Sequence, residues 1–282
     1  MKTRDELIDD LLTLAFAEDI GDGDHTTLST IPADAMGRSR LLIKEEGILA
    51  GVEVARKVLA KVDPGIRMEV FIGDGAKVKP GDVAFIAEGS VRSLLIAERT
   101  MLNIMQRMSG VATMTHRYQS ELSGLKTRVL DTRKTTPGMR MLEKEAVKIG
   151  GGTNHRIGLF DMILIKDNHE DFAGGLEKAV ERARQYCRDN GKDLKIEVEV
   201  RSLDDIRRLM AIGGVDRVMF DNFTPELTRE AVGIVNGTME TESSGGITLS
   251  NLRQYGEAGV DFISVGALTH SVKGLDMSFK AF

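Results

Sequence analysis

Cysteine occurs once in this chain of 282 residues, at Cys187, which excludes an internal disulfide and any cysteine-cluster metal site. No run approaches the roughly 18 apolar residues of a membrane span. The first residues, MKTRDELIDDLLTLAFAED, are charged and amphipathic and lack the apolar block of a signal peptide. A soluble, cytoplasmic protein with no membrane partner is expected. An excess of basic charge is also lacking. The formal net charge is −5 with 29% charged residues, a poor match to nucleic-acid binding, which needs a basic surface. Tryptophan is absent and methionine occurs 14 times, but neither restricts function, since methionine mostly fills cores. With 41% apolar residues the chain can bury a sizeable core, as one large domain or two.

Against this acidic background, the stretch DTRKTTPGMRMLEKEAVKIGGGTNHRIGLFDMILIKDNH from Asp131 to His169 concentrates cations and imidazoles. They fall in three tight groups: Arg133 with Lys134, His155 with Arg156, and Lys166 with His169. Each group stands beside a turn signal or closes an apolar run. Converging cations at strand ends predict a pocket for a strongly anionic small molecule.

The rhythm of the chain changes near residue 128. Before it, the pattern predicts an amphipathic helix over 4–17, strands at 39–43, 66–72 and 83–87, a helix at 52–62, a helix over 92–109 ending near Gly110, and a second at 111–122. After it, apolar runs ending near Asp131, Lys166, Glu199, Asp221, Ser244 and Gly266 alternate with helical segments at 137–148, 175–190, 203–212, 225–235 and 249–258. Pro225 and Asp204 suit helix starts. Repeated strand–helix units imply parallel strands with crossovers. Periodicity alone does not separate an open sheet from a barrel. Two points favour a barrel: polar groups recur at the strands' C-terminal ends, where (β/α) barrels build their sites, and no GxGxxG follows a first strand.

The residue types suggest chemistry. Arginine's planar fork matches a carboxylate and lysine is a compact point charge, which suits Arg133 and Lys134 to anions. His155 and Arg156 follow Gly150–Gly152, where backbone can approach a ligand closely. Lys166 closes an apolar strand, so it either binds an anion, forms a Schiff base, or makes a structural salt bridge. Glu197 and Glu199 share a strand face, and the pattern leaves open which faces the site. Carboxylates such as Glu199 and Asp221 can hold Mg²⁺, usually through waters, and stabilise a developing positive charge, although pairing with nearby lysines is the plain alternative. Backbone N–H groups at Ser244, Gly245, Gly246 and Gly266 can bind phosphate. Arg99 reads as an ordinary helix charge paired with Glu98 or Glu88. A metal site at His155 and His169 is not expected, since no third ligand has a recognisable spacing. The run from Asp19 to Asp24 reads as a turn with helix caps, and Cys187 has no assigned role.

DTRKTTPG, GGG-x-NHR and L-I-KDNH resemble the quinolinate phosphoribosyltransferases, and the likeness covers nearly the whole chain. AEDIGDGDHTT at 17–27, ERTMLNIMQRMSGVAT at 98–113, KIEVEV at 195–200, MFDN at 219–222, SGGIT at 244–248 and ISVGALTHS at 263–271 carry it further. Ser243 and Glu170 depart from the expected pattern. The resemblance implies an α/β fold: an incomplete (β/α) barrel over 111–271 behind an N-terminal α/β sandwich domain over 1–110, joined by the tail 272–282. It implies decarboxylating transfer of phosphoribose from phosphoribosyl pyrophosphate to quinolinate in de novo NAD biosynthesis, with Mg²⁺. Arg99, Arg133, His155, Arg156 and Lys166 would bind quinolinate. Thr132, Lys134, Asn222, Ser244, Gly245, Gly246, Gly266 and Ala267 would bind the phosphoribosyl donor. Lys134, Lys166, Glu199 and Asp221 would be catalytic, the two acids also serving the metal. The family arginine matching Arg99 crosses a dimer interface, so a homodimer with shared sites, or a higher oligomer of it, is implied. A Schiff-base aldolase using Lys166 and a non-catalytic barrel binding a phosphorylated metabolite or molybdate-type anion remain as alternatives.

Overall fold

The structure is a computed structural model and describes residues 2–282. The chain opens with α1 (Arg4–Ile20), whose Thr3 cap accepts from the Glu6 N–H while the Glu6 carboxylate accepts from the Thr3 N–H. Next come α2 (His25–Thr30), capped by Asp24, then β1 (Met36–Ile43), β2 (Gly47–Ile48) and α3 (Val52–Val62). β3 (Arg67–Val70), β4 (Lys77–Val78), β5 (Val83–Ser90) and α4 (Val91–Glu121) follow. The later part runs β6 (Arg128–Leu130), α5 (Arg140–Ile149), β7 (Ile163–Ile165), α6 (Asp167–Ala173), α7 (Leu176–Asp189) and β8 (Ile196–Val200). It continues with α8 (Leu203–Ile212), β9 (Arg217–Asp221), α9 (Pro225–Val235), β10 (Glu240–Ser244), α10 (Leu252–Glu257), β11 (Phe262–Ser264), α11 (Ala267–His270) and β12 (Met277–Ala281).

Contacts divide the chain into two compact units. One holds the chain up to His116, Thr135–Gly151 and Leu268–Phe282. Its sheet has the order β12-β1-β5-β3, antiparallel throughout, so the C-terminal tail is a strand beside β1. One face of α3, with Val54, Ala55, Val58 and Leu59, is buried in its core. The expected pair of helices broken at Gly110 is one helix, α4. Gly110 is there for close packing: a Cβ on it would stand 2.3 Å from the Lys273 carbonyl oxygen. A domain boundary at 110/111 therefore falls inside a helix, and α5 belongs to this first unit, where Arg4 pairs with Glu145.

The second unit, Arg117–Lys134 with Gly152–Ala267, is a six-stranded parallel sheet of order β6-β11-β10-β9-β8-β7. The two edge strands are consecutive in sequence, and the barrel is open between them. Thr153 runs alongside β6, donating to the Val129 carbonyl at 2.8 Å. All five positions of β8 are buried, as expected for a strand covered on both faces. Thr224 caps α9 with Pro225 in its first turn, whereas α8 is capped by Ser202 and not begun by Asp204.

Candidate active site

The strand ends build a cavity of about 190 Å³ in the barrel unit. Thr132, Arg133 and Lys134 reach it from the turn after β6, where the Thr132 hydroxyl accepts from the Lys134 N–H at 3.0 Å. His155 and Arg156 enter from the segment beside β6. Asp131 places them: its buried carboxylate accepts the His155 N–H at 2.8 Å. Lys166 follows β7, and Ser244 closes β10. Leu164 and Met219 give the cavity an apolar wall, suited to the face of a flat ring.

The cations are close enough to act on one another. Burial, then the neighbouring Arg133, depresses the Arg156 guanidinium below its ordinary range, and Glu197 and Asp161 work against that shift. Lys166 Nζ donates to Glu199 Oε2 at 2.5 Å. Asp221 ends β9, and its Oδ2 accepts from the Asn222 amide at 2.9 Å. Asn222 has a left-handed backbone, φ 56, and its N–H donates to the Ser244 carbonyl at 2.8 Å. Gly245 packs against it, since a Cβ there would stand 2.2 Å from Asn222 Oδ1. The turns after β9 and β10 are thus locked together. Gly266 and Ala267 lie just past β11, at the start of α11.

Beneath this rim lies a second layer that the sequence reading did not assign. Glu197, Arg217 and Glu242 stand on β8, β9 and β10 with exposures of 0%, 6% and 0%. Arg217 reaches Glu242 at 3.2 Å and Glu240 at 2.8 Å. His155 Nε2 lies 3.0 Å from Glu197 and 3.4 Å from Glu242. Burial pushes Glu197 up to about 7, against the pull of Arg217. Burial and then the Glu197 charge push Glu242 up to about 8. Two carboxyls so close in a dry site do not both ionise readily. So Glu197 and Glu199 both face inward, at different depths. A signal existed: along a strand, the residue two before each rim residue lies below it on the same face.

Two expected residues lie elsewhere. Arg99 is exposed on α4 and lines a separate cavity of about 240 Å³ in the first unit, beside Glu18, Asp19 and Asn103. Glu88, one of its expected partners, pairs with Arg67 and Arg38 instead. His169 turns its Nδ1 back to accept the Lys166 N–H at 3.0 Å.

A partial (β/α) barrel that gathers cations at its strand ends, above buried carboxylates, defines a class: a barrel enzyme for small polyanionic substrates. Residues 24–109 match the quinolinate phosphoribosyl transferase N-terminal domain and residues 111–280 its C-terminal domain. The chain belongs to the quinolinate phosphoribosyl transferase family. It is 44% identical to quinolinate phosphoribosyltransferase [decarboxylating] 1b of Nicotiana tabacum, over 96% of this chain and 81% of that protein. It is 42% identical to the probable nicotinate-nucleotide pyrophosphorylase [carboxylating] of Bacillus subtilis, over 95% of this chain and 91% of that one. The solved nicotinate-nucleotide pyrophosphorylase of Francisella tularensis superposes with a TM-score of 0.93 at 40% identity, covering 100% of this chain and 98% of that one.

Proposed function

We propose that this protein catalyses decarboxylating phosphoribosyl transfer to quinolinate. The observation that carries the reading is the convergence of Arg133, Lys134, Arg156 and Lys166 on one cavity with an apolar wall, in a chain of this family. Quinolinate carries two adjacent carboxylates and phosphoribosyl pyrophosphate carries several phosphate charges. Uncompensated, they would repel one another in one site. In this reading Arg133, Arg156, Lys166 and His155 receive quinolinate, with Leu164 and Met219 against its ring. Its ring nitrogen displaces pyrophosphate at the ribosyl C1. The resulting pyridinium nitrogen stabilises the electron pair left at C2 as carbon dioxide departs, and a proton from solvent then adds at C2 to give nicotinate mononucleotide. Positioning and electrostatics supply the catalysis, so no nucleophile–base pair is required.

Thr132, Lys134, Asn222, Ser244, Gly245, Gly246, Gly266 and Ala267 take the phosphoribosyl half. Glu199 and Asp221, on adjacent strands, offer the hard oxygen donors that Mg²⁺ prefers, and water-mediated contact suits a Glu199 already paired with Lys166. The ion would neutralise pyrophosphate charge. The Lys166–Glu199 pair favours an electrostatic role for the lysine over a Schiff base, because a paired ammonium has no lone pair to form an imine. A homodimer is part of the proposal, with Arg99 of the partner subunit reaching the quinolinate. The exposure of the large apolar side chains Leu159, Phe160 and Phe172 is what a surface covered by a partner would show. A reducing, cytoplasmic setting suits a chain with one cysteine. The test is ultraviolet detection of quinolinate consumption. Consumption that requires both phosphoribosyl pyrophosphate and Mg²⁺ is expected, and none under those conditions would refute the reading.

A further inference from the structure

His155 Nε2 and one carboxylate oxygen each from Glu197 and Glu242 lie within 4.8 Å of one another, all on buried residues. Such a trio invites reading as a metal site. The other ring nitrogen argues against it. His155 Nδ1 accepts the Arg156 main-chain N–H at 2.7 Å. Nδ1 therefore keeps its lone pair, and the proton of the neutral ring stands on Nε2. A protonated Nε2 has nothing to offer a metal and instead turns its N–H toward negative oxygens. The acceptors in reach are Glu197 Oε2 at 3.0 Å and Glu242 Oε2 at 3.4 Å. A positive charge for these acids is already built in, from Arg217 on the strand between theirs.

We propose that Glu197 and Glu242 are positioning residues for quinolinate binding: they hold His155 as its Nε2–H tautomer and, through it, set the Arg156 guanidinium in the cavity. The proposal rests on the quinolinate reading of the cavity. Its links are contiguous. Nε2 faces Glu197 Oε2 at 3.0 Å and Glu242 Oε2 at 3.4 Å without an aligned hydrogen bond, so the acids act on its N–H through their charge, and Nδ1 receives the Arg156 N–H. Asp131 receives the His155 N–H at 2.8 Å, and Arg156 reaches the Met162 carbonyl at 3.3 Å. A ring held on all these sides stays fixed where it lines the cavity. His155 then acts on the substrate chiefly through its neighbour, and the charge the substrate meets is that of Arg133, Arg156 and Lys166. The buried acids also explain how Arg133 and Arg156 tolerate each other, since Glu197 offsets their repulsion. Without the acids, the ring loses its acceptors and is free to rotate, and the Arg156 peptide loses the partner that fixes it.

Two measurements on the full-length protein test this. In long-range proton–nitrogen spectra of histidine-labelled protein at neutral pH, the His155 signals, assigned by their loss in His155→Gln, should show the Nε2–H tautomer. Any other protonation pattern overturns the proposal. Separately, Glu197→Leu should weaken quinolinate binding and raise its KM on the order of tenfold, the size of one lost polar contact with a charged group. The KM for phosphoribosyl pyrophosphate should not move, and Glu197→Gln should recover most of the loss, because an amide oxygen turns the negative end of its dipole to the same N–H. If Glu197→Leu does not fold, Glu242→Leu replaces it. Equal weakening of both substrates, no weakening, or no recovery with glutamine overturns the proposal. So does stoichiometric Zn²⁺ binding that Glu242→Gln abolishes. If the wild-type protein neither binds nor consumes quinolinate, the functional reading fails, while the tautomer measurement still judges the positioning device.

Discussion

Glu197 and Glu199 stand two residues apart on one face of β8, yet their surroundings differ. Glu197 is fully buried beside His155, in a layer with Arg217 and Glu242. Glu199 pairs with Lys166 at the rim, where the lysine side chain is 43% exposed. One step down the strand turns a group that can exchange partners into one that cannot. At the rim, Lys166 is open enough to trade its partner for a ligand or water, while Glu199 itself is 9% exposed. A charge in the lower layer has no water to turn to, so its partners are fixed and its protonation shifts. The rim is therefore suited to substrate and the lower layer to holding the rim in place.

Arg217→Met should sharpen this contrast most. It leaves Glu197 and Glu242 buried without their cation, and the cost should be about 3–5 kcal/mol, read as a lowered urea midpoint. A loss below about 1 kcal/mol, the size typical of exposed pairs, would break the distinction between the layers. At the rim the effect should fall on turnover. Asp221→Asn and Glu199→Gln should slow the reaction on the order of 10²–10³ and raise the Mg²⁺ requirement. Calorimetry should find quinolinate affinity little changed in both. Normal turnover with strongly weakened quinolinate binding would show that these acids serve the other half of the site.

Mixing Arg99→Ala with Lys166→Ala under subunit exchange should restore about one intact site in each mixed dimer of two-fold symmetry. No gain in activity over either variant alone would remove Arg99 from the partner's site.

The smallest effect concerns pH. Burial raises the folded-state values of Glu197 to about 7 and Glu242 to about 8, from an ordinary 4.5. The protonated forms are favoured by folding, so this contribution is full below about pH 4.5 and is lost as pH rises through about 7 to 8. Stability against urea should decline across that window in the wild type and decline less in Glu242→Gln. Parallel slopes would mean that the two acids are not coupled to folding.

Much was legible before any coordinates. Hydrophobic runs and turn residues placed the six barrel strands, and α3, α8 and α9 begin and end where the periodicity predicted. The cation groups stood out because lysine and arginine rarely close apolar strands unless something pairs with them. The break at Gly110 failed because glycine has two uses, stopping a helix or admitting a close neighbour, and the neighbour here is the backbone at Lys273, 163 residues further on. The helix α6 went unseen because it is short and five of its seven residues, DNHEDFA, are polar, so it read as a loop.

The sequence by itself determined the strand–helix rhythm, the rim residues at the strand ends and the likeness to a family, because each is written in local pattern. Tertiary structure alone decided depth. Register sets Leu164, Glu197, Arg217 and Glu240 side by side on four strands, and Arg217 reaches across to Glu242, two residues further along β10. The two-residue period says which residues share a face. It does not say that three of them, from strands β8, β9 and β10, will meet out of reach of water, and that loss of water is what separates a positioning acid from a reacting one.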